Sequence, residues 1–207
     1  MAKVAEQLGV TTMALYRYVD NKDELLQLMW NASAQGTESL ALTGETWREK
    51  LKDWAVHQRE ALDRHPWINQ LPMAAPPLGP NSAAFIERGL EAFDGTGLAD
   101  EEKLGVIGLL SSYTLSEARM AHDAARAASN GTGNSANLAP EPSFDAILRL
   151  VLNEQTYPRL FRIVWSTTPS APGLADRGQY LFGLDCILDG VQAMIDRADP
   201  TRRDCAK

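Results

Sequence analysis

Between Val4 and Met29 the chain reads VAEQLGVTTMALYRYVDNKDELLQLM, and the spacing of its apolar residues leaves few ways to fold it. Val4, Ala5 and Leu8 share one face at helical spacing, Gly9 follows where a left-handed turn residue is wanted, and Val10 is expected to re-enter the core. Thr11 or Thr12 can cap a second helix on which Leu15 and Val19, four apart, pack inward, turning Thr12, Met13, Tyr16 and Arg17 outward. Asn21 is the expected N-cap of a third helix, with Asp23 and Glu24 in the first turn where the helix dipole favours acids. Helix, glycine turn, short helix, break and amphipathic helix is the order of a helix-turn-helix, a unit able to seat its second helix in a DNA major groove. A small helical core without such a role would show the same apolar spacing.

Three segments also carry a resemblance. Val4-Ala5-Glu6-Gln7-Leu8-Gly9-Val10, then Leu15-Tyr16-Arg17-Tyr18-Val19, then Asn21-Lys22-Asp23-Glu24-Leu25-Leu26 resemble the DNA-binding signature of the tetracycline-repressor (TetR) family, with the turn Gly, the Leu-Tyr pair and the Asn-Lys pair in register. The resemblance implies a helix around Thr12 to Val19 in the major groove, with phosphates held at Tyr16 and Lys22 and a DNA-facing position at Arg17. Lys3, Thr11, Thr12, Met13 and Ala14 complete the expected DNA-contacting set. Family members carry a further helix ahead of this unit, whereas Met1 falls inside what would be the second helix. The expectation is therefore a DNA-binding domain over residues 1–36 that lacks its first helix.

Charge bears on the same question. A formal net charge of −7 argues against coating nucleic acid nonspecifically, which needs clustered Lys and Arg. Within residues 1–30, Lys3, Arg17 and Lys22 face Glu6, Asp20, Asp23 and Glu24, one more acid than base. That balance is weak for a reading head and suggests a basic arm ahead of it. With 207 residues and 44% hydrophobic content the chain can build one sizeable helical core plus a small appended domain. No apolar run approaches the roughly 20 residues of a membrane helix and no signal segment opens the chain, so a cytoplasmic protein without a membrane partner is expected.

Beyond residue 30 the periodicity is helical almost throughout, which predicts an all-α fold: a helix-turn-helix remnant plus a larger helical ligand-binding and dimerisation domain over residues 45–207. Thr46 opens a helix to Arg64 with Glu49 at capping-box spacing. Residues 66–80 hold five prolines and are expected to cross irregularly. Asn81 or Ser82 should cap a helix to about Phe93, and Asp100 one to about Ala128. Residues 129–143, rich in Gly, Asn, Ser and Pro, read as a mobile surface loop. Shorter helices follow from Ser143 to about Asn153 and from Tyr157-Pro158 to Trp165, with a break at Pro169 to Gly173.

The last helix, from about Asp176 to Ala198, is apolar on two sides. Leu181, Leu184, Leu188, Val191 and Ile195 form one sector, and Gly183, Ile187, Gly190 and Met194 an adjacent one. Asp185, Asp189, Gln192 and Asp196 are left as a narrow polar strip, read as solvated surface. A buried central helix of a monomer would satisfy this pattern; a two-fold dimer interface, with the glycines admitting a second backbone, satisfies it better. On the helix from Asp100, small residues Gly108, Ser111 and Ala118 share a face with Leu104, Ile107 and Leu115, suited to tight packing. Val106, Leu110, Tyr113, Glu117 and Met120 turn elsewhere, towards a pocket. The segment Phe182 to Ile195 and the Pro-rich stretch ending PPLGPN at Asn81 also resemble TetR regulators.

Catalytic patterns are missing. His57, His65 and His122 lack metal spacing, Cys186 and Cys205 make no metal or disulfide pattern, and no phosphate loop, dinucleotide fingerprint or nucleophile elbow occurs, so no enzyme, metal or cofactor is expected. A small-molecule site is expected instead from Trp54, His57, Trp67, Tyr113, Glu117 and Met120, which join large apolar bodies to a few polar tips. The reading is a ligand-responsive, homodimeric regulator, a repressor that leaves a near-palindromic operator when an apolar or aromatic inducer binds. A helical ligand-sequestering protein without DNA binding, and a small-molecule-modifying enzyme, fit parts of the same sequence.

Overall fold

Side chains that satisfy the first N–H groups of a helix set where the second, third and fourth helices of this protein begin. The computed structural model describes residues 1–71, 79–130, 144–166 and 177–198. Among them all regular structure is helical. Helix α1 (Ala2–Gln7) turns at Gly9 with φ 68°, and α2 (Thr12–Leu15) is capped by Thr11, whose Oγ1 accepts from Ala14 N at 3.1 Å. Helix α3 (Lys22–Ser33) starts at Asn21, whose side chain accepts from Glu24 N at 2.9 Å, while Glu24 reaches back to Asp20 N. Helix α4 (Trp47–Arg64) opens on a full Thr46–Glu49 capping box. The backbone N–H of Thr46, more than any other group, holds the Glu49 carboxyl below its ordinary range.

Two expected caps are replaced. Helix α5 (Pro80–Glu91) starts before Asn81, with Pro at its first turn and no cap of its own; Asn31 of α3 supplies the acceptor. In α6 (Asp100–Asn130) Asp100 is already helical, and Glu102 reaches back to the Ala99 N–H at 2.9 Å. Helices α7 (Phe144–Val151), α8 (Pro158–Ser166) and α9 (Arg177–Ala198) complete the order. Short 3₁₀ turns occupy Thr37–Ser39 and Pro66–Gln70. The rest of the Pro-rich crossing (72–78), the expected break at Pro169 to Gly173, Cys205 and all but the first two residues of the expected 129–143 loop lie outside the described residues; 129 and 130 are helical.

The main core joins α4, α6 and α9. Leu51, Trp54 and Ala55 meet Val106, Ile107 and Leu110 from one side and Tyr180, Leu184, Leu188 and Val191 from the other. At its centre the Tyr180 hydroxyl donates to the Ala55 carbonyl at 3.0 Å and accepts from Thr114 at 3.2 Å, so the buried polar atoms are satisfied. Burial is the first cause raising the Tyr180 pKa above its ordinary value. Gly89 lets α5 sit against this core: a Cβ there would come within 2.6 Å of Ile107 and 2.9 Å of the Trp54 ring. A second cluster gathers Ala5, Leu15 and Val19 with Met1, Val4 and Leu25. Leu8 and Val10, expected inside it, are 63% and 44% exposed, because the three short helices enclose only the face that carries Ala5 and Leu15.

The polar strip of α9 is not mere solvated surface. Arg48 of α4 contacts Asp189 at 2.7 Å and Asp185 at 3.4 Å, and Lys52 reaches Asp185 at 2.9 Å. The hydrogen bond from Lys52 is the first cause holding the Asp185 carboxyl below its ordinary value. A depressed folded pKa adds stability above the unfolded pKa, near pH 4, and loses it as pH falls through the folded value. Asp185→Asn should lower stability at pH 7 by up to about 1 kcal/mol, since the pair is partly exposed, with the difference shrinking below pH 4 in denaturant titrations. A pH-independent difference would assign the effect to packing.

Candidate functional site

Two surfaces come together in this fold. The first is the helix-turn-helix edge. Helix α2 is shorter than the resemblance implies: its α-helix ends at Leu15, and Arg17 and Tyr18 continue as tight turns, their N–H groups bonded to Ala14 and Leu15 carbonyls at 3.2 and 3.0 Å. Met13 is 73% exposed and Tyr16, Arg17, Lys3 and Lys22 are exposed, whereas Thr12 and Ala14 are half-buried. Thr11 Oγ1 is engaged as the cap of α2. Lys22 is the first residue of α3, seven residues past the end of α2.

The second is a cavity of about 570 Å³ at the other end of α3. Its floor comes from α4 through His57, Gln58, Ala61 and Leu62, and one wall from α6 through Leu104, Ile107, Gly108, Ser111 and Leu115. Ser82, Phe85 and Ile86 of α5 close another side. Trp30 and Ser33 of α3, with Ala34 to Thr37 beyond it, supply the remaining wall. The lining is largely apolar, with hydroxyl, amide and basic groups interspersed, the composition of a small-molecule site. At Gly108 a Cβ would meet no atom within 4 Å, so the small residues of α6 make space here.

The sequence-predicted set divides. His57 lines the cavity, its Nδ1 donating to the Asp53 carbonyl at 2.9 Å. Trp54 lies one layer behind: fully buried, stacked on Phe85 at 4.6 Å, and donating from Nε1 to the Phe85 carbonyl at 2.8 Å. It shapes the wall by holding Phe85, and its loss would cost the fold about 3–5 kcal/mol. Trp67 packs against the cluster of Leu62, Ile68 and Ala118, outside the cavity lining. Tyr113 faces α9, stacked on Tyr180 at 5.6 Å and donating to the Tyr180 carbonyl at 3.0 Å; burial, then the Glu117 carboxylate, push its pKa up to about 12. Glu117 follows one turn on, its Oε2 buried without a partner, and Met120 is exposed.

The two faces of α6 are thus exchanged relative to expectation. The face with Val106, Leu110 and Tyr113 makes the helix packing, and the face with Gly108 and Ser111 makes the cavity. Large side chains fill a helix interface, while small ones that no neighbour approaches leave a void. Gly183 belongs to the packing face as well, since a Cβ there would overlap the Tyr113 hydroxyl of the same chain. The sequence reading missed Trp30, Phe85 and the Ser33 to Thr37 wall, because it ended one domain at residue 36 and began the next at 45.

One residue ties the two surfaces. Asn31, on α3 beside Trp30, accepts from the N–H groups of Asn81 and Ser82 at 3.0 and 3.4 Å. The Asn81 amide donates to the Asn31 carbonyl at 3.0 Å, and Thr37 donates to the Asn81 carbonyl at 2.9 Å. Gly79 precedes this contact because any side chain there would overlap Asn31.

A helix-turn-helix whose trailing helix walls a ligand-sized cavity is the architecture of a one-component transcriptional regulator. The family described as "Tetracyclin repressor-like, C-terminal domain" matches residues 40–195. The HTH-type transcriptional repressor DrrR1 of Streptomyces coeruleorubidus is 32% identical over 198 residues, covering 94% of this chain and 70% of that protein. The TetR family protein ActR of Streptomyces coelicolor, in complex with actinorhodin, superposes with a TM-score of 0.70 at 25% identity, covering 93% of this chain and 86% of ActR. Apo ActR gives 0.69 at 23% identity over 92% of this chain and 85% of its own, a likeness of fold. The chain belongs to the TetR family of transcriptional regulators. Regulators of this family bind operator DNA, dimerise and bind small-molecule ligands.

The Asn31 contact generates a stability prediction. Asn31→Ala should cost about 1 kcal/mol, as for a lost helix cap, and Asn31→Asp, which keeps the acceptor, should restore most of it in thermal melts. Equal losses for both variants would mean that the side chain acts by shape alone.

Proposed function

We propose that this chain is a repressor that leaves its operator when a small apolar or aromatic ligand enters the cavity between α4, α5 and α6. The observation that carries the reading is that α3 begins at Lys22 beside the reading edge and ends at the cavity wall with Trp30 and Ser33. A ligand that needs a different position of this end of α3 binds the DNA-competent state less well, and only such a difference in affinity can shift the equilibrium. Asn31 and Thr37 carry the movement between α3 and α5 in this account. The functional division is a reading head over residues 1–36 and a ligand and dimer domain over 45–207, in a cytoplasmic protein that meets DNA directly. Regulation by binding needs no catalysis.

On the DNA, Tyr16 and Lys22 hold phosphates, and Thr12, Met13 and Arg17 present the reading surface, with Lys3 and Ala14 at its edges and Thr11 holding the helix start. A two-fold dimer through α6 and α9 sets two copies about one helical turn apart. Support comes from the outward stripe left on these helices: Leu109 on α6, and Phe182, Cys186 and Gly190 on α9, with Phe182 65% exposed. Of the two glycines that share a sector of α9, Gly190 is exposed and joins this stripe, whereas Gly183 packs on Tyr113 of its own chain.

The test is a titration of the full chain with duplexes enriched from a random-sequence pool. Tyr16→Phe and Lys22→Ala should weaken binding to enriched and scrambled duplexes alike, and Lys22→Ala should reduce the salt slope, whereas Met13→Ala should change the preferred sequence. Failure to enrich any duplex would favour the sequestering protein instead. Gly190→Glu should convert dimers to monomers in light scattering; an unaltered dimer would remove this stripe from the interface.

A further inference from the structure

We propose that the cavity selects a planar aromatic ligand with an acidic edge, a carboxylate or ionised phenol, over a neutral or cationic compound of the same size. The inference rests on the reading of this cavity as the inducer site. The chain carries 27 acidic and 20 basic residues, yet the ionisable side chains among the described lining are His57 and Arg64, both bases.

The carboxylates of the helix that forms the floor each have partners of their own, and none belongs to a lining residue. Asp53 Oδ2 accepts the Thr43 N–H at 2.7 Å and the Thr43 hydroxyl at 3.0 Å, while its Oδ1 lies 3.5 Å from Nδ1 of the lining His57. Glu60 pairs with Arg177 of α9 at 3.5 Å, and Asp63 with Arg59 at 3.1 Å. On α6, helical spacing sets Glu117 opposite the positions of Leu104, Gly108, Ser111 and Leu115 that line the cavity. An ammonium ligand would therefore give up water with no carboxylate among the described lining residues to receive it, a costly exchange.

An anion meets the opposite situation. Arg64 donates from Nε to the Glu60 backbone carbonyl at 3.3 Å, and among the described residues it makes no ion pair. Its two terminal nitrogens remain for a carboxylate or phenolate, which a planar guanidinium binds through charge-assisted, paired hydrogen bonds. Two further polar atoms on lining residues, Gln58 Oε1 and Ser82 Oγ, are buried without a hydrogen-bond partner. A rotation of either side chain towards a ligand hydroxyl would satisfy it. The apolar walls from Trp30, Phe85 and Ile107 suit the ring system itself.

Three probes of one size test the order: anthraquinone-2-carboxylate, 2-methylanthraquinone and 2-(aminomethyl)anthraquinone, titrated into the full chain by calorimetry at pH 7.5. The carboxylate should bind at least tenfold more tightly than the ammonium compound, with the methyl compound between them. Arg64→Gln should bring the carboxylate to the affinity of the methyl compound and leave the latter within about twofold. Gly108→Phe, filling the open space beside α6, should abolish binding of all three. An ammonium probe bound as tightly as the carboxylate, or an unchanged order in Arg64→Gln, would overturn the charge selection while leaving the cavity as the ligand site. No binding by any probe, or binding that survives Gly108→Phe, would instead remove the cavity reading on which this inference rests.

Discussion

The side-chain carbonyl of Asn31 accepts the first N–H groups of α5, and this one contact decides how the DNA-facing part of the chain meets the ligand-facing part. Helix α5 begins at Pro80 with no cap of its own, so its exposed N–H groups need an outside acceptor, and the one they find sits on α3. Because α5 also carries Phe85 and Ile86 into the cavity wall, the position of α3 and the shape of the cavity are not independent. Trp54, stacked on Phe85 and held by its carbonyl, fixes the far side of the same wall. Cavity shape is thus bounded by two polar contacts, one from α3 and one from α4.

Local features of this fold were legible because local chemistry determines them. Asn21 and the Thr46–Glu49 pair act within one turn of the helices they start, and both are found as their spacing predicts. Asn31 and Asn81 are 50 residues apart, and no pattern in either segment announces the other. For the same reason Trp30 and Ser33 read as the end of a reading head, while in three dimensions they belong equally to the cavity.

Periodicity separated the two faces of α6 correctly but could not say what lay against each. The small size of Gly108 and Ser111 suits close helix approach, yet a Cβ on Gly108 would meet no atom of the described residues within 4 Å, and the absence of bulk there becomes cavity volume. Gly183 shows the opposite case, a small residue that admits the Tyr113 ring of its own chain. Polar tips misled in a similar way: Tyr113 and Glu117 carry them, but burial and the carbonyls of α9 turn Tyr113 into part of the packing. Asp185 and Asp189 of α9 keep the solvent exposure that their polar strip implies, and in addition pair with Arg48 and Lys52 of α4.

The central claim is that ligand and DNA oppose each other through the joint between α3 and α5. It is tested most directly by measuring the affinity of an enriched duplex with and without saturating anthraquinone-2-carboxylate, in the wild-type chain and in Asn31→Ala. The account predicts that ligand weakens DNA binding of the wild type by about 5- to 150-fold, the usual range of coupling between two sites, and that Asn31→Ala brings this factor close to one while ligand affinity changes little. The same factor in both proteins would contradict it.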